Sequence, residues 1–183
     1  KVDFSKLTLM DALDLASLLE LEALKRYTQF AERLGGGLGD DAASVFKSMA
    51  VNEGKHGEQL AERRVALFGD KPPTVRLDDI FDVEAPDFGA PSMNMSPLKA
   101  YQVALSSEQK AFAFYDQALR YVNQPDVKAL FEELRDEEAE HVRMLEEIIA
   151  KLPPSAAIDL EDEDADPDTT ESWRRKVRQA DKS

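Results

Sequence analysis

The chain holds two histidines, and each stands three residues after a glutamate: Glu53-x-x-His56 and Glu138-x-x-His141. Residues three apart on a helix share a face, so each pair can present a carboxylate oxygen and an imidazole nitrogen to one point. Glu20 and Glu108 head a second repeated pattern, each followed by Ala three residues on and Tyr seven residues on, at Tyr27 and Tyr115. The Glu-x-x-His pairs are 85 residues apart and the Glu–Tyr pairs 88. A pseudo-two-fold arrangement follows, with these groups meeting on its axis.

Four carboxylates meeting in a low-dielectric core repel one another and lose hydration, so their pKa values rise unless cations compensate. Two divalent cations carry the charge that four carboxylates oppose, and the imidazoles then serve as neutral nitrogen ligands. An oxygen-rich, nitrogen-assisted donor set suits iron or manganese better than zinc, and better than calcium, which takes oxygen alone. The absence of Cys excludes disulfides, Cys-ligated zinc, iron–sulfur clusters and a thiol nucleophile. The candidate metal ligands are therefore Glu20, Glu53, His56, Glu108, Glu138 and His141. Nearly two turns beyond Glu20 and Glu108, Tyr27 and Tyr115 stay on the inward face. Each is read as a core aromatic with a satisfied hydroxyl, or as a donor to a bridging glutamate of the other half. Glu22, Glu58, Glu62, Glu137 and Glu140 fall off the apolar stripes and read as surface charge.

The elements that must position these groups are helices. Apolar residues recur at helical spacing from about Thr8 to Leu34, from Asp40 to Phe68, from Ser96-Pro97 to Val122, and from Pro125 to the residues before Pro153-Pro154. Each segment is expected to be roughly 40 Å long at about 1.5 Å per residue. Thr8 with Asp11 reads as a capping box, and Pro97 and Pro125 stand at first helical positions. Leu67 and Phe112 are placed on the apolar stripes with the residues around them. Short links join the first two helices and the last two, whereas the stretch from Gly69 to Asn94 carries four prolines and reads as a long crossover. Two hairpins joined by one crossover make an all-α, ferritin-like four-helix bundle over residues 1–153. Residues 154–183 read as an acidic linker, Ile158 to Asp168, and a short polar segment around Trp173.

The 183 residues amount to one ordinary domain. A net charge of −14 makes the chain a poor candidate for nucleic acid or anionic membranes, because both need a basic footprint. No apolar run approaches the roughly 20 residues of a spanning helix. No secretory signal is seen at the start, and a cytoplasmic location is the expectation.

The combination of Glu20 with Tyr27, Glu53-x-x-His56, Glu108 with Tyr115 and Glu138-x-x-His141 resembles the rubrerythrin or erythrin branch of the ferritin-like superfamily, over about residues 8–151. The resemblance implies a non-haem di-iron centre of two Fe ions, with Mn as an alternative metal. It implies that Glu53 and Glu138 bridge the metals, that Glu20 and Glu108 are terminal ligands, and that His56 and His141 bind one metal each. It also implies Fe(II), O2 or H2O2 as small partners, an oxidoreductase activity of ferroxidase or peroxidase type, and a homodimer. Rubrerythrins carry a Cys-rich rubredoxin domain that delivers electrons; with no Cys here, the electron donor must be external. They also place an extra Glu one turn from the helix 3 ligand, where this chain has Leu105 and Ala111, which favours a symmetrical site of four glutamates and two histidines. The alternatives are an iron-binding, storage or delivery module without turnover, and a metal-free interaction bundle.

Overall fold

The computed structural model describes residues 3–35, 40–76, 78 and 95–157. Four long helices are found among them: α1 (Leu9–Leu34), α2 (Asp40–Phe68), α3 (Pro97–Ala118) and α4 (Pro125–Lys151). The ends follow from local chemistry. Thr8 and Asp11 form the expected capping box, each side chain accepting the other's backbone N–H. Ser96 accepts from the Lys99 N–H ahead of Pro97, and Gln124 accepts from the Val127 N–H ahead of Pro125. Gly69, at φ 62°, closes α2 in a left-handed conformation that only glycine adopts without strain. Arg64 supports this end by donating to the carbonyls of Gly69 and Lys71 while pairing with Asp14 on α1.

Two sequence expectations about α3 need correction. The helix spans 22 residues and stops at Ala118, short of Val122. Beyond it the backbone tightens to bonds between residues three apart, Arg120 to Gln117 and Tyr121 to Ala118, before turning into α4. Phe112 is half-buried, and the neighbouring Phe114 takes the core position against Phe4, Tyr115 and Phe131. Leu67, in the last turn of α2, is 40 % exposed because the stripe runs out there.

α1 packs along α2, and α3 along α4, as the short links require; α1 meets α3 more sparsely. Tyr27 reaches Glu108 while Tyr115 reaches Glu20, so α1 and α3 are antiparallel. Hence α2 and α3 run the same way, and the end of α2 and the start of α3 lie at opposite ends of the bundle. A 3-10 turn, Pro154–Ala157, packs on α3 with Ser155 and Ala156 buried. The acidic run and the Trp173 segment lie outside the described residues, as does most of the crossover.

The interior is divided. One apolar cluster contains Leu13, Leu15, Leu60, Tyr115, Phe131 and Leu134. The other contains Tyr27, Phe30, Phe46, Met49, Tyr101 and Leu145. Each large side chain buried this way contributes about 1.5–3 kcal/mol. Between the clusters every helix places polar groups where its stripe would continue, and that layer is the site.

Candidate metal centre

All six sequence-predicted ligands are brought together at mid-bundle. α1 supplies Glu20, α2 supplies Glu53 and His56, α3 supplies Glu108, and α4 supplies Glu138 and His141. Each is at least nine-tenths buried. They form two groups, Glu20–Glu53–His56–Glu138 and Glu53–Glu108–Glu138–His141, in each of which one ligand atom per residue lies within 4.8 Å of the others. Glu53 and Glu138 belong to both groups.

The two halves match closely. His56 Nδ1 faces inward, 3.3 Å from Glu20 Oε2 and 3.5 Å from Glu53 Oε2. His141 Nδ1 lies 3.2 Å from Glu108 Oε2 and 3.6 Å from both Glu138 Oε2 and Glu53 Oε1. Tyr27 OH donates to Glu108 Oε1, and Tyr115 OH donates to Glu20 Oε1. Each tyrosine thus donates to a glutamate of the other half. The acceptors are not the bridging candidates, however, but the two glutamates that each belong to a single group. The antiparallel pairing of α1 with α3 sets this, because each Tyr lies level with the Glu of the helix opposite.

Burial sets the electrostatics. It pushes Glu53 well above the usual carboxylate range, helped by the Glu20 and Glu108 charges and opposed by His56. Burial and then the Glu108 charge do the same to Glu138. Burial also works against charge on Glu108, but hydrogen bonds from Glu138 and His141 overcome it and hold Glu108 below its ordinary value. His56 loses hydration on burial, yet bonds to Glu20 and Glu53 raise it to about 11. Both phenols are raised well above their ordinary value, by burial first and neighbouring carboxylates second, and so remain neutral donors.

These residues fit a pair of divalent cations. Glu53 Oε1 and Glu138 Oε2 are fully buried acceptors without a hydrogen-bond partner among the described residues, and each belongs to a glutamate shared by the two groups. A buried acceptor left unsatisfied costs about 1–3 kcal/mol, so one that persists needs a ligand to justify it. The charge that protons and His56 hold in check is the charge two cations would neutralise.

Sequence reasoning missed two features. Glu137, read as surface charge, accepts from His56 Nε2 across the α2–α4 contact. Its only signal is its place beside Glu138, one step round the helix from the stripe. Glu58, Glu62 and Glu140 are exposed, as expected. Glu22 is half-buried and lines a cavity of about 20 Å³ between α1 and α3, together with Ala23, Arg26, Ser107 and Ala111. The cavity reaches Glu20, Glu53, Glu108 and Glu138. Arg26 donates to Ser107 across it at 2.6 Å. Ala111, one of the two positions a turn from Glu108 where the family resemblance would put an extra carboxylate, lines this cavity.

No curated protein matches significantly. A crystal structure of an uncharacterized conserved protein from Magnetospirillum magnetotacticum MS-1 is similar, with 31% identity over 80% of this chain and 97% of that one and a TM-score of 0.67. A bacterioferritin-related protein from Bacteroides fragilis, described as a dodecameric thioferritin, shares the fold at 21% identity, 82% and 88% coverage and a TM-score of 0.62. The rubrerythrin family model matches residues 11–149, and again residues 99–180. With its ferritin-like bundle and buried glutamate–histidine layer, the chain belongs to the rubrerythrin family.

Proposed function

We propose that the protein is a non-haem di-iron carboxylate protein that oxidises Fe(II) with O2 or H2O2. Glu53 and Glu138 would be shared by two metal positions, with Glu20 and His56 completing one and Glu108 and His141 the other. The observation that carries this reading is the sharing of Glu53 and Glu138 between two otherwise separate ligand groups. Mn(II) fits the same donors. Two ferrous ions would supply the two electrons that reduce one H2O2 to two waters as two protons are taken up.

The chain's own residues do the rest. The apolar clusters on either side shield the layer from bulk solvent, so each charge interaction acts in a lowered dielectric. Tyr27 and Tyr115 hold Glu108 and Glu20 by one oxygen, and the other oxygen of each faces a histidine Nδ1, where both could coordinate. Glu53 and Glu138, raised by burial, would give up any proton they hold to bind a cation. The cavity beneath Ala23 and Ala111 has room for one water-sized molecule, which supports a small oxidant such as O2 or peroxide. The homodimer implied by family resemblance is part of the same reading, and sedimentation equilibrium tests it.

The test is elemental analysis after anaerobic Fe(II) loading and desalting, followed by stopped-flow oxidation with H2O2 and with O2. Two irons per chain and repeated turnover with an added reductant are expected. Two irons with a single round of oxidation would make the protein a store or carrier. No retained metal would overturn the reading and leave a metal-free interaction bundle.

A further inference from the structure

His56 and His141 occupy equivalent places in the internal repeat, and their inward nitrogens have matching surroundings. Their outward nitrogens do not. His56 Nε2 donates to Glu137 Oε2 on α4. Among the described residues, none hydrogen-bonds His141 Nε2. The residue 85 positions before Glu137, which holds its place on α2, is the uncharged Asn52. The His141 side chain is also the more exposed of the two, 11 % against 5 %.

A carboxylate that accepts from the outer N–H of a ligating imidazole does two things. It fixes the tautomer, so that the Nδ1 lone pair points at the metal, and it makes that nitrogen a stronger donor. Only one half of this site has the device. The pseudo-two-fold is therefore kept among the six inward-facing groups and broken one residue further out.

We propose that Glu137 is a positioning residue that makes the two metal positions unequal: the one built on Glu20 and His56 fills first and holds divalent metal more tightly than the one built on Glu108 and His141. This rests on the dinuclear reading above. It gives the protein a singly loaded state of defined composition, with metal on the α1–α2 side.

The experiment is an anaerobic Fe(II) titration of the metal-free full chain against a competing chelator. Wild type is expected to take up two equivalents in two steps about 10–100-fold apart in affinity, the range such an outer partner is worth. Glu137→Ala should weaken the first step and bring the two together, whereas Glu137→Gln, which keeps an acceptor for Nε2–H, should recover part of the gap. Asn52→Glu, which restores the missing partner, should strengthen the second step and leave the first alone; a merely structural role for Glu137 would not predict that. His141→Ala should retain the tight step and His56→Ala should lose it. If metal-free Glu137→Ala melts early, the Asn52→Glu and histidine variants carry the test. Two equal steps in wild type, or an equal loss from both steps in Glu137→Ala, would overturn this proposal and leave the dinuclear reading standing. No uptake by wild type would overturn both.

Discussion

Tyr27 of α1 donates its phenolic proton to Glu108 of α3, 81 residues away in the chain, and both are almost fully buried. The bond ties the two hairpins together at the one layer where carboxylates replace apolar packing. Tyr27→Phe keeps the ring stacked on Phe46 and removes only the donor. It should lower stability by about 1–3 kcal/mol, the cost of a buried acceptor left unsatisfied. It should also weaken the metal position that uses Glu108 by about 10–100-fold. Thermal melts and chelator competition check the two effects separately.

Ligands shared by both groups should behave differently from unshared ones. Glu53→Ala removes an oxygen from both metal positions and should leave at most weak, single occupancy. Glu20→Ala should spare the position built on Glu108 and His141. Glu58→Ala, on the exposed face of α2, should retain full metal content. Elemental analysis of the three variants decides the point, and equal loss from Glu53→Ala and Glu58→Ala would contradict the ligand assignment.

The pH dependence has a definite sign. Groups whose folded pKa is raised contribute stability that is complete below the unfolded value and is lost as pH climbs towards the folded one. Glu53 and Glu138 are raised well above 4.5, and His56 is raised from 6.5 to about 11. Glu108, lowered from 4.5, acts oppositely and costs stability only in acid. Metal-free protein should therefore melt at progressively lower temperature from about pH 5 to about pH 9. Divalent metal takes the place of the protons, so the rise in melting temperature on adding Fe(II) anaerobically should grow over the same range. A metal-free melting temperature that climbs with pH would contradict this distribution of protons.

The cavity between α1 and α3 predicts a separation of loading from reaction. Ala111→Val places two methyl groups where the cavity reaches the carboxylates. Iron content should stay at the wild-type level while oxidation by H2O2 and O2 slows together, as read by stopped-flow absorbance. Unchanged oxidation rates would mean that the oxidant arrives by another route.

Gly54, within α2 next to Glu53, has nothing within 4 Å of where a Cβ would stand. Glycine inside a helix costs about 0.5–1 kcal/mol relative to alanine through the freedom of the unfolded chain. Gly54→Ala should raise metal-free stability by about that amount without altering metal stoichiometry, as measured by denaturant melts and elemental analysis.

The sequence by itself determined the helices, their order and the types and spacing of the ligands, because each is a local property. A 3.6-residue period puts Glu53 with His56 and Glu138 with His141 on single faces, and the stripes carry Glu20 and Glu108 into the same layer. Caps at Thr8, Ser96-Pro97 and Gln124-Pro125 are likewise written in adjacent residues. What the tertiary structure alone decided lies between helices, where position depends on crossing and register rather than on period. It paired Tyr27 with Glu108 and Tyr115 with Glu20, and it chose Phe114 over Phe112 for the core. It opened a cavity beneath Ala111 and set Glu137, off its own helix's stripe, against His56 on the neighbouring helix. An off-stripe glutamate looks like any other surface charge along the chain. Only the packing of α4 beside α2 gives that one an imidazole to hold.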